Sequence, residues 1–373
     1  MRKKLSAILL SLCCATLLCG CDAFNNEYVV VENYQPSVQE ERREDGKILV
    51  KNYAALRRAL LSMAYEGKTE GSIVFDSAYD GDTTEDMASA CWAVRTQDAL
   101  CAYCVENIAY EINKIVTINE ANVYISYSDV TASPENIRHM SFSSAAENVL
   151  KTAMTEGEKR LVLLVEHSDY STEDMSSVIT GIYRENPTIV PVEPVSSVNM
   201  YSGSGSQRLY EININYGLTE EEINQRSAQL AAIDAFSSLY PDELGEIQKA
   251  YYACQYLMGN CELSDSKEDN TAYSALVQGQ ANSEGVAFAY VELCRQLGVD
   301  CRIVYGQLDW QDHCWNIVRV DGNYYHVDVT AAIQAASVDK FLESDEDFWG
   351  LYRWDVPSYP KCTEKLNYMD FDY

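Results

Sequence analysis

His313-Cys314-Trp315-Asn316-Ile317-Val318-Arg319-Val320-Asp321-Gly322-Asn323-Tyr324-Tyr325-His326-Val327-Asp328 is the stretch on which the fold turns. It reads as a strand from His313 to Val320, a turn, and a returning strand from Tyr324 to Val329. Asp321-Gly322 is the dipeptide that suits a two-residue hairpin loop, since both loop positions need positive φ. With that loop, Val320 pairs with Asn323 and Asp328 lies opposite Trp315. Side chains at i and i+2 share a face, so His313, Trp315, His326 and Asp328 point the same way. His313 and Asp328 become diagonal neighbours at ~7–8 Å between backbones, within side-chain reach. A three-residue loop would break the arrangement, so the register carries the expectation.

Upstream of the hairpin a helix follows Asn282, with Val286, Tyr290, Leu293 and Leu297 on its inner face and Gly298 as its stop. Ser283 falls at the helix start, where free backbone N–H groups and the positive dipole end can hold an oxyanion. Gly285 and Ala287 keep that turn narrow. A strand from Cys301 to Gln307 and a polar turn at Asp309 to Asp312 lead into the hairpin. A histidine oriented by a carboxylate, beside a hydroxyl at a helix N-terminus, is the general nucleophile–base–orienter arrangement. Ser283, His313 and Asp328 are the candidate catalytic residues in those three roles.

Residues 270 to 330 resemble the core of the transglutaminase-like superfamily, which shares its active-site plan with papain-type cysteine peptidases. The resemblance rests on His313-Cys314-Trp315-Asn316, on Tyr325-His326-Val327-Asp328-Val329-Thr330, and on Ser283-Glu284-Gly285-Val286-Ala287. The tail from Phe341 to Pro360 is similar to bacterial members. Where the family carries its nucleophilic cysteine, this chain has Ser283. Cys294 lies too far along the helix and Cys314 alternates away from His313, so neither replaces it. The resemblance implies a transglutaminase-like domain, with Trp315 and Tyr273 as substrate-binding residues and Tyr273 as an added oxyanion donor. A thiol ionises against its histidine and is intrinsically nucleophilic, whereas a serine hydroxyl must lose its proton during attack. Three readings follow: a surface-anchored binding protein with a disarmed site, a serine-dependent acyl hydrolase or amidase, and a structural envelope protein.

The first half of the chain holds an internal repeat. Thr83-Thr84-Glu85-Asp86-Met87-Ala88-Ser89 is echoed by Ser171-Thr172-Glu173-Asp174-Met175-Ser176-Ser177. Each copy has an amphipathic helix before it, then a short apolar strand, Ile73 to Phe75 in one and Leu161 to Val165 in the other. Each closes on an alternating strand carrying Val123, Ile125 and Tyr127, or Tyr210, Ile212, Ile214 and Tyr216. The expected class is therefore α+β, with two tandem α/β repeat units at 46–133 and 134–218 before a transglutaminase-like domain at 219–373. Thr219-x-x-Glu222 is a capping box that starts a connecting helix, and a second helix is read from Pro241.

Residues 1 to 20 read as an address. Arg2, Lys3 and Lys4 precede an apolar run too short to span a membrane. Its end, Leu18-Cys19-Gly20-Cys21, resembles a bacterial lipobox, which implies cleavage after Gly20, lipid attachment at Cys21, and a place on the cell envelope facing outside the cytoplasm. Residues 21 to 45 read as a polar tether. The chain's 57 acidic against 28 basic residues give a net charge of −29, which excludes nucleic acid as a partner. A membrane is then reached through the N-terminal lipid alone, and cell-wall peptide, protein or glycan are the ligand classes left. The four histidines are scattered and no Gly-rich phosphate loop occurs, so no cofactor or metal is expected. Of the remaining cysteines, Cys254 and Cys261 are a candidate bridge, while Cys101 and Cys104 read, with Ile108, as one buried helical stripe.

Overall fold

The structure, a computed structural model, describes residues 41–115, 118–128, 136–241 and 243–366. The leader, Cys21 and nearly all of the tether lie outside the described residues. Among the described residues no helix is long and apolar enough to cross a membrane.

The first unit runs β1 (Ile48–Val50), α1 (Tyr53–Tyr65), β2 (Glu70–Phe75), α2 (Thr83–Gln97), α3 (Ala99–Cys104), β3 (Val105–Ile115) and β4 (Ile118–Tyr127). The second runs β5 (Arg138–Phe142), α4 (Ala146–Thr155), β6 (Arg160–His167), α5 (Thr172–Glu185), β7 (Val195–Ser202) and β8 (Arg208–Asn215). Their sheets have one topology, β1-β2-β4-β3 and β5-β6-β8-β7, with the first pair parallel and the others antiparallel. The repeated heptad opens a helix in both copies, but the caps differ by one residue. Asp82 caps α2 through Thr84 and Glu85 N–H, whereas Ser171 itself caps α5 in a capping box with Asp174.

One stretch departs from its sequence reading. Asp98 accepts from Cys101 N–H and starts the new short helix α3, and Ile108 stands on β3 instead of on a helix. A register shift between Val105 and Asn107 puts the apolar residues at a spacing that imitates a helical stripe. Cys101 and Cys104 are both fully buried.

The sheet of the second unit is covered on both faces. Leu161, Leu163, Val165, Tyr210 and Ile212 join a core that continues into the C-terminal domain. Val162, Leu164 and Leu209 face the core of the first unit. A strand buried on both sides needs no polar alternation, which accounts for the unbroken apolar run Leu161–Val165.

The C-terminal domain begins with α6 (Glu220–Ala231), started by the Thr219–Glu222 capping box, and α7 (Glu246–Asn260). The second helix thus starts at Glu246 after Gly245 and not at Pro241, five residues later than its sequence suggests. Cys254 and Cys261 are both free. The unbroken α7 separates them by about two helical turns, ~10 Å along the axis, beyond disulfide reach. After β9 (Glu262–Leu263) and β10 (Gln280–Ala281) comes α8 (Ser283–Gln296), buried from Gly285 to Cys294. It packs on a five-stranded sheet of order β14-β13-β12-β11-β15. These strands are β11 (Asp300–Leu308), β12 (Gln311–Val320), β13 (Asn323–Val327), β14 (Phe341–Glu343) and β15 (Tyr352–Trp354). Asn316 Nδ2 donates to Ala287 O at 3.1 Å and ties β12 to the helix. Val320 pairs with Asn323, as the two-residue loop requires. The returning strand, however, ends at Val327. Asp328 leaves the ladder and caps α9 (Val329–Ala335), accepting Ala331 N–H at 2.9 Å.

Candidate active site

Asn282 caps α8 by accepting from both Glu284 and Gly285 N–H, at 3.0 and 3.1 Å. Ser283 is therefore the first helical residue, and among the described residues its own N–H has no hydrogen-bond partner. A free amide at the positive end of a buried helix is the donor an oxyanion needs. The approach of this turn to its surroundings is close. A Cβ on Gly285 would lie 2.6 Å from Asp269 O and 3.0 Å from Thr271 O, so glycine alone fits there.

His313 Nε2 meets Asp328 Oδ2 at 2.7 Å. The same oxygen accepts Tyr352 OH at 2.8 Å, and Oδ1 is taken by the Ala331 amide. A carboxylate only 1% exposed is thus satisfied by three donors. Because the carboxylate accepts, Nε2 carries the proton and the lone pair of the neutral ring is left on Nδ1. Burial and the Asp328 charge both push the Tyr352 phenol upwards, so it stays a donor. Ser283 Oγ accepts the Cys314 N–H at 3.3 Å. Among the described residues it makes no hydrogen bond to His313. Burial pushes the Cys314 thiol up to about 12, with Glu284 adding to the shift.

Trp315 does not face a ligand. It is 1% exposed, lies nearly parallel to His313 with ring centroids 6.1 Å apart, and donates its indole N–H to His326 Nδ1 at 3.0 Å. It supports the histidine from below. Tyr273 is likewise occupied: its hydroxyl donates to Gln229 Oε1 at 2.7 Å and Arg226 lies over its ring, with no hydrogen bond to Ser283, His313 or Asp328 among the described residues.

A second polar line escaped the sequence reading. His326 Nε2 meets Asp345 Oδ1 at 2.9 Å, and Cys362 completes a group whose ligating atoms lie within 4.8 Å of one another. Such a trio has metal-ligand chemistry, but its hydrogen bonds argue otherwise. An indole N–H only donates, so His326 Nδ1 must accept and Nε2 must carry the proton. A metal on Nε2 would require a proton on Nδ1, facing the indole proton directly. The group fits a support for Trp315. His326 shares the Trp315 face in the hairpin, which was visible; Asp345 and Cys362 come from distant segments without a local signal.

The family model of the Transglutaminase-like superfamily matches residues 238–329, the span that holds Ser283, His313 and Asp328. The chain carries a transglutaminase-like domain in its C-terminal region, within a mixed fold of helices and sheets. Among solved structures it is similar to a TGase at 9% identity and TM-score 0.26, covering 46% of this chain and 51% of that one. It is similar too to a protein from Cytophaga hutchinsonii assigned as a cysteine protease, at 11% identity and TM-score 0.25, covering 43% and 72%. A third, from Parabacteroides distasonis and assigned as a protease, has 8% identity and TM-score 0.23, covering 69% and 39%. The matched region spans about half the length of the TGase structure. No curated protein matches the chain.

Proposed function

We propose that this is a lipid-anchored protein of the bacterial cell envelope whose transglutaminase-like site is non-catalytic and serves as a cleft for peptide or glycan. One observation carries the reading. Ser283 Oγ accepts the Cys314 amide and makes no hydrogen bond to His313. A serine attacks only as its proton passes to a base, and no base lies within hydrogen-bond distance of the Ser283 hydroxyl among the described residues. A cysteine thiolate would be stabilised by the same amide and the helix end, which suits a pocket inherited from a thiol enzyme. The anchor is read from Leu18-Cys19-Gly20-Cys21.

The unoccupied Ser283 N–H and the Nδ1 lone pair favour a second reading, a serine-dependent acyl hydrolase or amidase. There Oγ would bond to the carbonyl carbon as its proton moved to Nδ1, with the carbonyl oxygen's charge held by the Ser283 amide. The leaving amine would take that proton as its bond to the carbonyl carbon broke, and water, giving a proton to Nδ1, would then release the acid and restore the Ser283 hydroxyl. Intact-mass analysis of the full chain after fluorophosphonate treatment separates the two. The expected result is no adduct at Ser283. An adduct that disappears in Ser283→Ala would overturn the non-catalytic reading in favour of the hydrolase.

A further inference from the structure

β11 is only partly covered by its outer neighbour. It runs from Asp300 to Leu308, but β15 pairs with Gly306, Gln307 and Leu308 alone. Two bonds show which way the uncovered residues turn their backbone groups. Tyr305 and Cys314 lie opposite each other across β11 and β12, yet the Tyr305 N–H goes to Tyr359 OH at 3.1 Å and the Cys314 N–H to Ser283 Oγ. They form a non-hydrogen-bonded pair, so each points its backbone groups away from the other strand. Alternation carries that outward direction to Ile303 and Cys301. Their N–H and C=O groups meet no strand or backbone partner on that side among the described residues.

An open strand edge is ordinarily blunted or covered. This one lines a cavity of about 590 Å3, together with residues of α5, the far end of α8 and the segment Ser358 to Pro360. The α8 residues in its wall are Val291 and Arg295, the nearer of them ~12 Å along the helix axis from Ser283, so the place is distinct from the cleft. Three arginines line the same cavity. Arg295 is held by Glu292 Oε1 at 2.6 Å and Arg302 stands 3.7 Å from Asp300. Arg184 instead lies over the Tyr305 ring at 4.3 Å and pairs with no carboxylate among the described residues. Stacking engages the face of a guanidinium and leaves its N–H edge for an acceptor. Carboxylates are abundant in a chain with 57 acidic against 28 basic residues, and even Glu185, in the same wall, does not take this charge.

We propose that this edge receives an extended peptide segment of a partner protein, which adds to the sheet as a strand beside β11 and sets a carboxylate side chain against Arg184. Cys301 and Ile303 supply the main-chain pairing, and the guanidinium supplies the side-chain preference. The open stretch from Asp300 to Tyr305 is ~20 Å long, which fits a strand of about five residues. A cavity of this size, walled by α5 and by Ser358 to Pro360, holds a single strand and not the folded edge of a second copy. The site stands whether or not Ser283 is catalytic.

Calorimetric titration of the full chain at about 0.15 M salt, where the acidic surface is screened beyond ~8 Å, tests the inference. The probe is the N-acetylated amide of Glu-Val-Glu-Val-Glu. It is compared with that of Gln-Val-Gln-Val-Gln and with two N-methylated forms of itself, one methylated at the glutamates and one at the valines. A strand pairs through alternate residues, so one methylated form should lose binding and the other keep it. The glutamate peptide is expected to bind about tenfold more tightly than the glutamine one, the difference a charge-assisted hydrogen bond makes. Arg184→Gln should remove that preference without weakening the glutamine peptide, while Arg58→Gln, at an exposed position of α1, should leave both affinities as they are. Hydrogen exchange of the 300–305 segment should slow when the peptide is bound. Equal behaviour of the two methylated forms, unchanged exchange at 300–305, a preference untouched by Arg184→Gln, a dimer of the chain that the peptide dissociates, or no binding at millimolar concentration would each overturn the inference.

Discussion

At the scale of single residues, Ser283 holds the position of a nucleophile without the connection of one. The arrangement around it is nevertheless complete: an oriented histidine with its lone pair on Nδ1, a free amide, and a second amide from Cys314 already on the side-chain oxygen. Ser283→Cys should therefore produce a thiol that iodoacetamide alkylates below about pH 7 much faster than any other cysteine in the chain. The background is favourable, since burial drives the thiols of Cys91 and Cys261 up to about 11 and that of Cys314 to about 12. Ordinary reactivity at the new thiol would show that His313 and Asp328 do not act on that position. The closeness of His313 and Asp328 was legible because a hairpin loop of fixed length sets the pairing as far as Val327, and Ser283 was legible as a residue at a helix start. The roles of Trp315 and Tyr273 were not. Whether an aromatic ring faces a ligand or the core depends on what packs over it, and Tyr352, Phe348 and Gln229 come from other parts of the chain.

At the scale of elements, precision is concentrated where α8 begins. The helix is buried around its whole circumference, so its amphipathic signature is weak and its first turn is fixed by contacts instead. Gly285 is the tightest of these. Gly285→Ala forces a methyl group onto the carbonyl oxygens of Asp269 and Thr271, and is expected to lower stability by about 1–3 kcal/mol, the usual cost of overpacking. Chemical denaturation of the two proteins measures it, and an unchanged midpoint would show that the 269–271 segment yields freely. The capping box at Thr219 and the glycine stop at Gly298 were readable because they are local chemistry. The bulge that hides β3 and the delayed start of α7 were not, since pairing with β4 and docking in the core decide them.

At the scale of the whole molecule, acid pulls in two directions. Burial lowers the pKa of His139 and of His326, so the unfolded chain binds more protons below about pH 6.5 and stability falls as pH drops through that window. Buried carboxyls such as Asp98 and Glu166 are raised by burial and act oppositely, the folded chain binding the extra proton. Comparing the native protein with His326→Gln isolates one side: the variant's denaturation midpoint should fall less between about pH 7 and about pH 5. Parallel pH profiles would show that His326 is not held neutral by its surroundings. The repeat was visible in seven residues of sequence, but its consequence for packing was not, since nothing local says which face of β6 meets which neighbour. That doubly covered sheet has a kinetic meaning. With core on both sides, the second unit has no low-stability seam along which to swing away, so its placement between its two neighbours is set when the chain folds. Rearrangement at that junction is then left to side chains, on nanosecond timescales, and not to a domain motion a thousandfold slower or more.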